Sequence, residues 1–154
     1  MQDMNDGGSD FDPRINPGFR QVTAFQINPF IKFKGLEFFG IYEMVTGSTP
    51  AALADESLGE GTYTQLGAEL LYRFGAEENL YIGGRYNAVM GEAFGDAPAR
   101  DAERYNVGAG WFMTKNVLAK VEYVNQDYTG DGWNGTRFGG GNFNGVVMEA
   151  VIGF

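Results

Sequence analysis

Five bases, Lys32, Arg73, Arg85, Arg104 and Lys120, and five acids, Glu37, Glu43, Glu69, Glu122 and Glu149, sit on the polar phase of segments that alternate with period two. Two kinds of chemistry are open to such a set. A carboxylate pair at Glu122 and Glu149 on neighbouring strands could do acid–base work, although pairing with Lys120 or Arg104 is the plainer expectation. A guanidinium pair at Arg85 and Arg104 could bias the passage of anions by the charged-ring logic of channels. The balanced signs equally describe a solvated, salt-bridged wall, which is the reading preferred here. Glu103 stands at the upper edge of the opposite, apolar phase.

The residue types that are missing remove most catalytic alternatives. The chain has no Cys and no His, which excludes thiol nucleophiles, disulfide scaffolds, imidazole-dependent triads, zinc fingers and HExxH metalloproteases. No enzyme activity and no cofactor or metal are therefore expected. Asp127-Tyr128-Thr129-Gly130-Asp131-Gly132 has the outline of a calcium loop without the later bidentate Glu, and reads as a plain loop. Gly139-Gly140-Gly141 precedes no helix, so a phosphate cradle is not expected. Trp133, Phe138 and Phe143 in the same region would either touch a ligand or fold inward over the mouth.

Stepping outward from these residues, 24 Gly among 154 residues and 15% aromatics indicate tightly turned strands. Seven alternating segments follow, spanning about 21–34, 36–45, 63–74, 80–90, 103–113, 117–128 and 146–154. Their apolar phases include Phe25, Ile27, Ile31 and Phe33 in the first and Val146, Met148, Ala150, Ile152 and Phe154 in the last. Connections alternate short and long: 34–35, 75–79 and 114–116 are short, whereas 46–62, 91–102 and 129–143 are long. That asymmetry predicts an all-β fold, an antiparallel up-and-down transmembrane β-barrel with short turns at one rim and long loops at the other. No run of about 18 apolar residues marks a membrane helix.

The aromatics on the apolar phase fall into two groups. Phe33, Phe74, Trp111 and Phe154 lie towards the short turns, and Tyr42, Tyr86, Tyr105 and Tyr123 lie towards the long loops. Two aromatic belts at the two rims of an apolar band are what a bilayer favours, so these eight are the expected membrane-interface residues. An Arg or Lys against lipid at mid-depth costs roughly 2–4 kcal/mol, so Lys32, Glu69, Arg73, Arg85, Arg104, Lys120, Glu122 and Glu149 are expected to line the interior. The formal charge of −9 resides mostly in the connections, and it makes nucleic acid an improbable partner.

The chain ends Val146-Val147-Met148-Glu149-Ala150-Val151-Ile152-Gly153-Phe154. A terminal Phe preceded by apolar residues at every second position resembles the insertion signal of Gram-negative outer-membrane β-barrel proteins. Asn116-Val117-Leu118-Ala119-Lys120-Val121-Glu122-Tyr123-Val124 is similar to the penultimate hairpin of porin-like barrels. The Gly often found a few residues before the terminal Phe is replaced by Glu149. The resemblance covers about residues 21–154. It implies residence in the outer membrane of a Gram-negative bacterium, contact with its lipid, insertion by the barrel-assembly machinery through the last strand, and association with other outer-membrane subunits.

Read backwards from Phe154, seven strands leave the first one descending from the outside. Because single-chain bacterial barrels have even strand numbers, the chain is expected to be the C-terminal portion of a larger barrel. Residues 1–19, rich in Asp and Gly with Pro13 and Pro17, read as an extracellular loop or lead-in, and 20–154 as the barrel strands. Porin-like passive transport of small solutes is the leading expectation. A structural or partner-binding outer-membrane barrel with a filled lumen comes second, and a soluble ligand-binding barrel third.

Overall fold

The computed structural model describes residues 18–153. They form one antiparallel meander whose strands are β1 (Gln21–Ile27), β2 (Phe30–Phe33), β3 (Leu36–Ser48), β4 (Gly61–Phe74), β5 (Leu80–Glu92), β6 (Asp101–Thr114), β7 (Val117–Thr129) and β8 (Asn142–Ile152). The pairing order is β1-β3-β4-β5-β6-β7-β8, with β2 also on β3. Among the described residues nothing pairs with the outer edges of β1, β2 or β8, so the sheet is open.

Eight strands occupy seven lanes, because the first predicted segment is broken at Asn28-Pro29. Proline has no N–H for the ladder, and its ring needs room. Gly40 supplies that room: a Cβ there would stand 2.9 Å from Pro29 Cγ. The Gly40 N–H donates to the Pro29 carbonyl at 2.9 Å, which restores one cross-strand link. Register survives the break, since Ile27 pairs with Tyr42 above it and Phe30 with Phe39 below it. Every apolar residue of the segment therefore keeps its face.

The short connections are built by local chemistry. Lys34 and Gly35 both have positive φ (46° and 75°) and close a two-residue turn of the kind that suits twisted hairpins. Residues 75–79 turn through Glu77 and Glu78, both at positive φ (67° and 54°), and 115–116 join β6 to β7 beyond a register irregularity between Phe112 and Thr114. The long connections carry more structure and are shorter than the alternation suggested, because backbone pairing continues where the side-chain pattern has turned polar. Glu92, Asp101 and Asn142 thus lie in strands rather than loops. Residues 49–60 contain α1 (Pro50–Ala54), capped by Thr49 Oγ1 accepting from the Ala52 N–H at 3.2 Å, and a 3-10 turn, Glu56–Leu58. Residues 130–141 contain the 3-10 turn Asp131–Trp133.

This sheet has no interior in the usual sense. Among the described residues no large side chain is fully buried, and the buried apolar set is only Ala52, Tyr63, Ala88, Val124, Tyr128 and Trp133. A sheet in water must cover one face against another layer. Here the apolar face carries Phe25, Ile31, Leu36, Leu70, Tyr72, Ile82, Val107, Val121, Val146 and Met148 in the open, Met148 at 81% exposure.

Candidate functional site

Cross-strand register places the charged positions on the face opposite that apolar surface, in oblique rows of complementary sign. Lys32 is opposite Glu37, Glu69 is opposite Arg85, and Lys120 is opposite Glu149. Lys32 Nζ and Arg73 Nε both donate to Glu37 Oε1, at 2.7 and 2.9 Å. Arg85 clasps Glu69, its Nε 2.6 Å from Oε2, and Lys120 Nζ lies 2.9 Å from Glu149 Oε2. These pairs are partly exposed, so each adds little stability, about 0–1 kcal/mol. Their consequence is electrostatic: four bases share three carboxylates, with Lys32 and Arg73 both on Glu37.

The two less favoured pairings, Arg85 with Arg104 and Glu122 with Glu149, are not set side by side by this geometry. Arg85 and Arg104 have different partners: Arg85 is held by Glu69, while Arg104 Nε donates to the Gln126 amide oxygen at 2.6 Å. Among the described residues Arg104 has no carboxylate partner, and it lies one strand away from Arg85 and diagonal to it. Glu122 and Glu149 are not directly opposite each other either: Glu122 faces Val147, and Glu149 is tied to Lys120. No paired-carboxylate geometry results.

The polar face also carries residues that the alternation pattern left unremarked. Arg73 lies over the rings of Tyr81 and Phe112, 5.9 and 5.2 Å from their centroids, and those two rings are 6.1 Å apart. Leu71, Leu118 and Asn106 line the same region. The sequence signal for it is the run Asn106-x-Gly108-x-Gly110-x-Phe112, with glycine at successive positions of one face.

At the long-loop end, Trp133 is 3% exposed and packs edge-on against Tyr128 (5.3 Å) and Phe138 (5.9 Å). Tyr128 is opposite Ala102, in the same phase as Arg104 and Asn106, so the 130–141 loop folds over the polar face. Phe143 stays apart and exposed on β8. The loops are stitched together: Gly132 N–H donates to Ala99 O at 2.9 Å, Arg100 Nε to Gly132 O at 2.8 Å, and Gly95 N–H to Leu58 O at 3.1 Å. In the segment with a calcium-loop outline, Asn134 Nδ2 donates to Asp131 Oδ1 at 3.2 Å, and among the described residues no three Asp, Glu, His or Cys converge as a metal site.

On the apolar face the expected belt residues stand as follows. Phe33, Phe74, Trp111, Tyr42, Tyr105 and Tyr123 are exposed, Tyr86 is half-buried against Tyr105 at 4.9 Å, and Phe154 lies outside the described residues. The tyrosines do not share one hydrogen-bonded row. Tyr42 is opposite Leu66 and, through it, Ala88, but the tyrosine on β5 is Tyr86, two residues nearer the short turns. Tyr86 is opposite Tyr105, and Tyr105 is opposite Asn125; the tyrosine on β7 is Tyr123, again two residues lower. From β3 to β7 the belt descends about one residue per strand. The polar margin above it is level on the first strands, where Thr23, Thr46, Thr62 and Glu92 share a row, and stands lower on the last ones, where Glu103 is opposite Ala88 and Asn125 is opposite Asn144.

No family model, curated protein or solved structure matches this chain. The function must therefore be argued from the two faces themselves.

Proposed function

We infer that the chain is the strand-bearing portion of a Gram-negative outer-membrane β-barrel with porin-like passive transport of small solutes. The oblique row of tyrosines, Tyr42, Tyr86, Tyr105 and Tyr123, carries this reading. A stagger of one residue, about 3.4 Å, per inter-strand step of about 4.8 Å corresponds to strands tilted by about 35° from the normal to the band, inside the 35–45° of membrane barrels. Along β4 the outward run Leu66, Ala68, Leu70, Tyr72, Phe74 covers about 22 Å of depth at that tilt, near the roughly 25 Å apolar band of such barrels. A packing partner in water has no need of a belt that is level only after tilting.

The polar face then becomes the wall of an aqueous lumen, and the outer-membrane lipid becomes the partner of the apolar face. The last strand, with Val146, Met148, Ala150 and Ile152 outward, is the segment offered to the barrel-assembly machinery, and other outer-membrane subunits remain candidate neighbours. β1 and β8 both run towards the short turns, so they cannot pair antiparallel with each other. Closure of this sheet takes an odd number of further strands.

A filled structural barrel is the second reading, and the inward packing of Trp133 and Phe138 on Tyr128 favours it. Reconstitution of the protein in planar bilayers separates the two: steady, salt-dependent conductance supports passive transport, and its absence supports the filled lumen. A monodisperse protein in plain buffer without detergent would overturn both. Within a conducting pore, Arg104→Ala is expected to move the reversal potential towards cation selectivity, because Arg104 is an inward base bonded to an amide, Gln126, and to no carboxylate among the described residues.

A further inference from the structure

The inward positions of β6 run Asn106, Gly108, Gly110, Phe112. Two consecutive positions without side chains leave a trough between an amide and a ring. Neighbouring strands lean into it: Glu122 from β7 crosses Gly108, where a Cβ would stand 2.7 Å from Glu122 Cγ, and the Tyr81 ring from β5 lies across Gly110. The resulting cavity has a volume of about 220 Å³.

Its charges are unevenly committed. Arg73, Arg85 and Lys120 border the cavity, and each is bound to a carboxylate, Glu37, Glu69 and Glu149 respectively. Glu122 has no such bond; among the described residues it feels Lys120 only through space. Asn106 is 9% exposed, and its Oδ1 is a buried side-chain oxygen with no donor among the described residues. A buried acceptor left unmet is costly, and native structures rarely keep one without a reason.

We propose that this trough binds a small organic ammonium ion, with Glu122 as its counter-ion and Asn106 Oδ1 accepting one of its N–H groups. An anion would have to break one of three existing ion pairs, whereas an ammonium meets the one carboxylate left over. A divalent metal is a poorer fit, since the trough offers a single uncommitted carboxylate and such ions gather six or more oxygens. With Glu122 lying across Gly108 and the Tyr81 ring across Gly110, the cation meets the Glu122 carboxylate at the wall of the trough, and the volume suits a few-carbon amine. The Tyr81 and Phe112 rings are occupied by Arg73, so the ligand's alkyl part lies along Leu71 and Leu118.

The proposal rests on the polar face being open to water, as in the porin-like reading, but its test does not require conduction. Purified protein in detergent micelles is titrated calorimetrically with propylammonium chloride, and in parallel with tetramethylammonium, which has charge but no N–H, and with propionate. Saturable heat is expected with propylammonium alone. Glu122→Gln, close in shape to the original, is expected to weaken binding by roughly ten- to a hundred-fold, the value of one charge-assisted hydrogen bond. Asn106→Leu is expected to weaken it as well, and Glu43→Gln, on the same face outside the trough, to leave it unchanged. No saturable propylammonium binding, or equal affinity in Glu122→Gln, overturns the proposal. If binding follows this pattern but bilayers stay silent, the transport reading fails and the subsite stands; conductance without binding gives the reverse.

Discussion

Leu70→Arg offers the sharpest test of which solvent the apolar face meets. Leu70 is the middle member of the outward run on β4, opposite Phe38 on one side and Gly84 on the other, and 53% exposed. Four residues separate it from Leu66 and four from Phe74, so at the inferred tilt it sits about 11 Å from either margin of the band. Guanidinium at that depth is near the point of greatest cost, roughly 2–4 kcal/mol in a bilayer. In water the same change at a half-exposed strand position would fall within about 0.5 kcal/mol. Gln65→Arg on the opposite face is the control, since Gln65 is opposite Glu43 and an arginine there finds a carboxylate. Equilibrium unfolding by guanidinium chloride in lipid vesicles reads both variants. A Leu70→Arg loss within 0.5 kcal/mol of the Gln65→Arg value would refute lipid contact for this face.

Further consequences can be checked separately. Gly40→Val is expected to cost about 1–3 kcal/mol and to loosen β1 and β2 without moving β5–β8, because its side chain would collide with the Pro29 ring; amide exchange along β3 reads this, and uniform protection would count against it. Trp133→Ala removes the centre of the Tyr128–Phe138 cluster, so the Gly132 amide, bonded to Ala99 O, should exchange faster while β6 and β7 stay protected. Asp55 has its carboxyl held below the ordinary aspartate range by the Ser57 hydroxyl (2.6 Å) and the Ser57 backbone N–H (3.1 Å). The stabilisation it lends the 49–60 loop is therefore full above the ordinary aspartate pKa and is lost as pH falls through the lowered one. Ser57→Ala should raise the Asp55 midpoint in a carboxyl NMR titration, and an unchanged midpoint would contradict the assigned cause.

Much of the sheet was legible because period-two alternation is a local property that survives in sequence. Segments such as 63–74 and 80–90 lie within β4 and β5, and the three short connections sit where Lys34-Gly35, Gly75 and Asn116 place them. What alternation could not resolve were strand ends near the long loops, because Glu92, Asp101 and Asn142 break the hydrophobic pattern while their backbones still pair. Pro29 was visible in the sequence. That it would interrupt the ladder without shifting register depended on Gly40 being opposite it.

Alternation of residue types by itself determined that this chain would form antiparallel strands with one apolar and one charged face, since side-chain direction along a strand is set by covalent geometry. Register was decided only in the tertiary structure, because it depends on how many residues each turn consumes and how each pair of strands packs. Register is what tilts the tyrosine belt, sends Glu69 to Arg85 and Glu149 to Lys120, sets Arg104 beside Gln126, leaves Glu122 without an ion pair among the described residues, and opens the trough between Asn106 and Phe112.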